Sequence, residues 1–359
     1  MKINKVVLFS WDFYPSNLVA SRRTTSWTQN LKKNLPEKIE IQILTGNSRS
    51  VSIEGINSLV ILKKGPFKGL PEKIWHIAQL GLIIRNIKEP SLVIMSAGPF
   101  YFLLTSAFIP KRHSIVFDLR DPFLSDSKNS LSPMRKFFRK IFQNWFIKQP
   151  HAIITINDNL RRDYGIPDQF PHIIIPNGFE TREPKACTHN KKIIVLGKVY
   201  ENLKVFISDA IKIDPSLEFH QYTDLSKTPE ANKLPRMERV YIHDEIPSSK
   251  IPETCSEYGI GLISSYPEDF VLPVKIFDYV MANQKIIILN DKNSPNTEIK
   301  HFLKHYPNVF YSYDGLLNAN EFKDFLEMKY HPFDLSLIEP IYFREESTKL
   351  LANFLKANF

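Results

Sequence analysis

The sequence predicts an α/β protein built from two doubly wound domains of roughly equal size. Three observations carry this. Short apolar runs recur along all 359 residues, and most are unbroken, not alternating, which is the pattern of strands covered on both faces. Helical patterns fall between successive runs, as a βαβ succession requires. A polar, Pro-containing stretch, "NGFETREPKACTHNKK" (177–192), has no apolar periodicity and reads as an interdomain linker.

The expected strands of the first half are "KVVLF" (5–9), "IEIQIL" (39–44), "SLVIM" (91–95), "SIVF" (114–117), "AIITI" (152–156) and "HIIIP" (172–176). Those of the second half are "KIIVLG" (192–197), "LEFHQY" (217–222), "VYIH" (240–243), "YGIGLI" (258–263), "KIIIL" (285–289) and "NVFY" (308–311). The domains are then 1–180 and 181–336. The end of the chain, 337–359, holds a helix with no strand after it.

Composition is globular, with 43% apolar and 24% charged residues, so wholesale disorder is excluded. Cys187 and Cys255 share no local spacing, which suggests a reducing compartment and not a disulfide framework. The N-terminus reads as lacking a signal peptide, because Trp11-Asp12 interrupts its first apolar run. Residues 91–110 are uncharged and about long enough to span a bilayer. Ala97-Gly98-Pro99 splits them into a strand and a helix of about 10 residues, too short to cross. Neither a G-x-G-x-x-G nor a Walker loop is present.

The net charge of +9 is uneven. Residues 1–180 hold 25 Lys and Arg against 13 Asp and Glu, and residues 181–359 hold 22 against 25. The first half is thus basic by 12 charges, which suits an anionic partner: phosphorylated substrate, anionic lipid or nucleic acid.

One stretch stands out. "LPVKIFDYVM" (272–281) places Lys275 and Asp278 in an otherwise apolar run. Pro273 suits the first turn of a helix, which puts Lys275 and Asp278 at i and i+3, one turn inside the N-terminus, with Ile276, Phe277 and Val280 facing the core. A helix N-terminus attracts anions, a lysine adds to that, and a carboxylate accepts hydrogen bonds from ribose hydroxyls. The pair therefore reads as a grip for a nucleoside diphosphate, or as an ordinary ion pair on a half-buried helix.

The surrounding sequence resembles the donor-binding region of GT-B glycosyltransferases, in particular retaining family 4. Lys275-Ile276-Phe277-Asp278-Tyr279 is similar to that family's "K-x-F-E-Y". "IPNGFE" (175–180) resembles its interdomain "I-P-N-G-v-d", and "VFDLRDPF" (116–123) the "D-L-R-D-P-W" of one branch. "SAGPFYFLLTSAF" resembles that branch's "s-g-P-P-f". "FYPSNLVASRRTTSWTQNLKK", with Ser21-Arg22-Arg23, is similar to the first loop and helix. These likenesses run in order over most of the chain.

The resemblance implies a GT-B fold: two Rossmann-like domains facing a cleft, with the C-terminal helix packing back on the first. It implies sugar transfer with retention from a nucleotide-sugar, with no cofactor required and no obligatory metal. Asp278 would bind the ribose, and Lys198, Lys204 and Lys275 the diphosphate. Arg120 and Asp121 would lie near the donor sugar. Asp118 and Asp121 also read as a catalytic pair, or as caps of the following turn. This chain departs from the pattern in several places. In the family seven residues separate that carboxylate from a second acid, which would stand at position 270, yet position 270 is Phe270, which leaves Glu268 or Asp269 to serve. Asp278 replaces a glutamate, Lys204 stands one residue late, and the first loop reads Asn17-Leu18-Val19-Ala20 where glycines are usual.

"SPMRKFFRKIFQNWFIKQP" (132–150) is the second unusual segment. Met134, Phe137, Phe138, Ile141, Phe142 and Trp145 form an apolar stripe, and Arg135, Lys136, Arg139, Lys140 and Lys148 the polar side. It reads as a helix packed on the first sheet, or as a membrane-docking helix whose field Lys63, Lys64, Lys68 and Lys73 reinforce. A lipid-linked or oligosaccharide acceptor, a peripheral site at the inner membrane face and a cytoplasmic location follow from the second reading. His301 and His305 lie at i and i+4 with no third ligand nearby, more the pattern of a solvated face than of a metal site. Two other classes stay open: a non-catalytic GT-B homologue acting as scaffold, and a nucleic-acid-binding protein. The latter lacks any recognisable nucleic-acid module.

Overall fold

The structure, a computed structural model, describes residues 3–13, 19–46, 56–63, 65, 68–123, 133–197, 201–225, 238–264, 272–292 and 296–359. The chain divides into two compact units, Met1–Glu180 with Pro340–Phe359, and Thr181–Glu339.

The first unit runs β1 (Lys5–Phe9), α1 (Val19–Asn34), β2 (Glu40–Thr45), β3 (Ser58–Ile61), α2 (Leu70–Asn86) and β4 (Ser91–Ser96). A 3-10 helix (Phe100–Phe108) follows, then β5 (Ser114–Leu119), α3 (Pro133–Phe146), β6 (Ala152–Thr155), α4 (Asp158–Asp163) and β7 (His172–Ile174). The sheet order is β3-β2-β1-β4-β5-β6-β7, and its neighbours pair in parallel. Val6, Val7, Leu8 and Phe9 are all buried, because helices cover both faces. β3 has no counterpart among the expected strands. It is an edge strand with one neighbour, two half-buried residues and two exposed ones, so its apolar signature is weak. Residues 91–110 divide into β4 and the 3-10 helix, and no helix among the described residues is long and apolar enough to cross a membrane.

The second unit runs β8 (Lys192–Leu196), α5 (Glu201–Ile213), β9 (Glu218–Tyr222), β10 (Val240–His243), α6 (Ile251–Ser256) and β11 (Ile260–Ser264). Then come α7 (Lys275–Met281), β12 (Lys285–Asn290), α8 (Thr297–Phe302), β13 (Val309–Tyr313) and α9 (Ala319–Glu327). Its parallel sheet has the order β10-β9-β8-β11-β12-β13. Phe206 and Ala210 of α5 and Phe322 and Phe325 of α9 share one core with Val195, Leu262 and Ile287. Asparagines start three of the short helices: Asn157, Asn296 and Asn318 each accept a backbone N–H of the first turn.

The last helix, α10 (Arg344–Asn358), belongs to the first unit, where Leu351, Ala352 and Leu355 pack with Trp27 and Leu31 of α1. It starts at Arg344, later than residue 337, because Leu335–Leu337 and Pro340–Tyr342 form separate 3-10 turns. The polar stretch expected as a linker also starts inside the first unit. Phe179 is 1% exposed, stacks on Phe343 and exchanges backbone hydrogen bonds with Tyr342 and Arg344 (2.7 and 3.0 Å).

Candidate functional site

The order of the second sheet reverses between β8 and β11. Doubly wound sheets bind ligands at such a point, outside the carboxyl ends of the strands. β8 runs out into Gly197, whose φ of +89° suits a residue without a Cβ. α5 begins at Glu201, shortly after that strand end, and the N-terminal end of a helix favours anions through its dipole. Lys275 meets β8 at the same edge: its ammonium donates to the Leu196 carbonyl, and a Cβ on Gly197 would lie 3.4 Å from Nζ. Tyr279, one turn on, accepts the Leu196 N–H at 3.2 Å and donates to the Ile194 carbonyl at 3.3 Å. Gln221 of β9 donates to the Gly197 carbonyl at 2.7 Å. The end of β8 is thus a fixed platform with a cation set into it.

That cation is costly. Burial alone brings the Lys275 ammonium from its ordinary 10.5 down to about 8. A site that keeps an under-solvated cation at a strand end favours an incoming anion.

The structure shifts the expected helix. α7 starts at Lys275, so Lys275 opens the first turn and does not sit one turn inside it. Asp278 lies one turn in and is 7% exposed, and Ile276, Phe277, Tyr279 and Val280 are buried around it. Lys204 lies in the first turn of α5 and is half-buried. Lys198, Glu268, Asp269 and Phe270 lie outside the described residues, as do Asn17, Leu18 and Lys64.

In the first unit, Asp118 is the last residue but one of β5, with no exposed surface. Its carboxylate faces Arg23 at 3.2 Å and Arg120 at 3.4 Å, and accepts from Ser96 Oγ at 3.3 Å. Arg120 also donates to Ser96 Oγ at 2.6 Å. Asp121 is exposed, and its backbone carbonyl accepts the Tyr164 hydroxyl at 2.7 Å. Asp118 and Asp121 therefore occupy different environments, one inside an arginine cluster and one at the surface.

On α3, Gln143 and Phe146 are buried and Phe142 and Trp145 half-buried. Met134, Phe137, Phe138 and Ile141 are exposed, the first by 70%. The apolar stripe therefore packs on the sheet only through its C-terminal half. Arg139 turns inward, over the Phe123 ring and onto its carbonyl at 3.0 Å, while Lys140 and Lys148 are exposed; the side chains of Arg135 and Lys136 lie outside the described residues. His301 faces Glu339 at 3.7 Å, and among the described residues no three metal-ligating side chains come together.

No protein-family model matches the chain, and no curated protein matches its sequence. Solved structures do match. WaaG, a glycosyltransferase involved in lipopolysaccharide biosynthesis, aligns over 98% of both chains at 10% identity and a TM-score of 0.61. The fold is that of the GT-B glycosyltransferases. An α-glucosyltransferase solved with UDP-glucose and DNA aligns over 99% of this chain and 95% of that one, at 11% identity and a TM-score of 0.53. TarM, at 12% identity and a TM-score of 0.50, is longer: 79% of this chain covers 56% of it.

Gln221 and Arg344 escaped the sequence reading. Gln221 stands in the strand "EFHQY", where polar Glu218 and His220 leave it unremarkable in sequence; Arg344 begins a charged helix turn and looks solvated in sequence.

Proposed function

We propose that this protein is a glycosyltransferase that moves a sugar from a nucleotide-sugar, with retention, to a lipid-linked acceptor. The observation that carries the reading is the Lys275 ammonium at the carboxyl end of β8, beside Gly197. A diphosphate leaving group develops negative charge as the bond between the sugar's anomeric carbon and the diphosphate oxygen breaks, and fixed cations lower that barrier. Lys275 and Lys204, with Lys198, take the diphosphate; Asp278 takes the ribose hydroxyls. Arg120 and Asp121 contribute at the donor sugar, and Asp118 positions Arg120 through their ion pair. No cofactor or obligatory metal is part of the reading. The likeness in fold to a glycosyltransferase solved with UDP-glucose supports the donor class.

The acceptor side rests on the first unit. α3 exposes Met134, Phe137, Phe138 and Ile141 with Lys140 and Lys148, and α2 exposes Leu70, Ile74 and Trp75 near Lys63, Lys68 and Lys73. Apolar side chains beside lysines suit an anionic bilayer surface. A peripheral, cytoplasmic enzyme of bacterial surface polysaccharide or glycolipid assembly fits these features, as does the fold shared with WaaG.

The test is nucleotide release from a panel of UDP-, GDP- and dTDP-sugars with a bacterial lipid extract as acceptor. One donor should turn over, and Asp278→Ala should weaken that donor's binding without unfolding the protein. Folded protein that releases no nucleotide from any donor would overturn the reading in favour of a scaffold.

A further inference from the structure

The first unit gathers four arginines whose side chains are largely buried. Arg23, Arg120 and Arg344 have side chains 0%, 8% and 2% exposed, and Arg22 joins them at 15%. Among the described residues, Asp118 and Glu180 are carboxylates set against them. Asp118 is taken up by Arg23 and Arg120. Arg22 and Arg344 both approach the same Glu180 oxygen, each from Nε at 3.5 Å.

Arg344 is then left over. Its Nη1 and Nη2 are buried and have no hydrogen-bond partner. A guanidinium carries five N–H donors, and burying charged donors unpaired is among the costliest arrangements in a protein interior. The four cations also feel each other. Burial lowers the Arg344 guanidinium, with Arg22 and Arg120 adding repulsion, and burial pushes Arg23 down to about 9, with Arg344 and Arg120 adding theirs. A methionine would fill the Arg344 space without this penalty, so the charge needs a use.

The place suggests one. Ser96 and Arg120 mark the carboxyl ends of β4 and β5, the edge at which doubly wound sheets bind ligands. Arg344 is the first residue of α10, a 15-residue helix whose preceding residue, Phe343, offers no side-chain cap. The helix dipole adds positive potential at that end. Glu180, 38% exposed, marks the open side.

We propose that Arg22, Arg120 and Arg344 form an oxyanion site, which takes a phosphoryl or carboxylate group through the free Nη donors of Arg344. Guanidinium forks match both groups in shape. That the anion belongs to the acceptor rests on the glycosyltransferase reading; the site itself does not. An acceptor with a charged group near its reacting hydroxyl would be held by it, and a neutral one would not.

Isothermal titration of the full chain with inorganic phosphate, and separately with acetate, at constant ionic strength tests this. Wild type should bind at least one of them saturably, and which one binds tells phosphoryl from carboxylate. Arg344→Met should abolish that binding. Glu180→Gln removes the competing carboxylate and should tighten it by about tenfold. Glu180 is partly exposed, so this variant keeps the test decisive if Arg344→Met fails to fold. Absence of saturable binding by either anion, or binding that Glu180→Gln leaves unchanged, overturns the proposal. UDP titrated into Arg344→Met, where the anion site is lost, reads the second unit separately. Absence of the anion site from wild type with UDP binding intact sinks this inference alone, and the reverse sinks the donor reading alone.

Discussion

Lys275→Met separates the cost of a buried ammonium from its use. The drop from 10.5 to about 8 corresponds to about 3 kcal/mol between the two protonation states. The folded-state value lies below the unfolded one, so between about pH 8 and 10.5 the unfolded chain binds more protons and stability rises with pH. Below pH 8 the folded protein carries the whole penalty. Urea unfolding of wild type and Lys275→Met from pH 7 to 11 measures it, because in the difference the other lysines and the tyrosines cancel. Wild type should gain about 3 kcal/mol on the variant across that window. A bound diphosphate should reverse the effect by stabilising the charged form. UDP should therefore bind most tightly below pH 8, and at pH 9 its binding should take up a proton, read by calorimetry in two buffers of different ionisation enthalpy. Parallel stability curves for the two proteins would refute the reasoning, since the ammonium would then be no more desolvated than one in water.

Three further outcomes are expected. Gly178→Ala would put a Cβ 1.9 Å from the Tyr342 carbonyl oxygen, breaking the pairing of Phe179 with the segment before α10; it should cost about 3 kcal/mol, and an unchanged melting temperature would contradict this. Phe137→Ser with Phe138→Ser removes two side chains that are each 61% exposed; stability should hold, while binding to anionic vesicles should fall about tenfold or more, and undiminished vesicle binding would argue against membrane docking. His220 and His243 touch at 3.0 Å between Nδ1 and Nε2, and burial lowers both below 6.5, so the folded protein binds fewer protons than the unfolded chain just below that value. Stability should fall as pH drops through 6.5, and His220→Gln should flatten the fall; equal slopes in urea midpoints would exclude the pair as its cause.

The sheets were legible because parallel strands buried on both faces spell themselves as unbroken apolar runs; β12 is "KIIILN" with five of six residues buried. β3 was not, since an edge strand with one neighbour needs less apolar surface. Lys275 could be found because a lysine in an apolar run has to be explained. Its contact could not, because Leu196 lies 79 residues away and only the fold brings them together. Asp118 is offered by the sequence as a catalytic candidate, but a sequence does not show that Arg23 and Arg120 close over it. The stripe on α3 could not reveal which of its halves packs, since both are equally apolar. Arg344 was invisible for the opposite reason: it sits beside Glu345 and Glu346, in a turn that reads as solvated.

Everything proposed for the second unit depends on where a nucleoside diphosphate settles. A crystal structure with UDP or GDP bound answers that directly. The diphosphate oxygens should lie within hydrogen-bonding distance of the Lys275 ammonium at the end of β8, with the ribose hydroxyls on the Asp278 carboxylate. Nucleotide bound elsewhere on the unit, with Lys275 still satisfied only by the Leu196 carbonyl, would contradict the account.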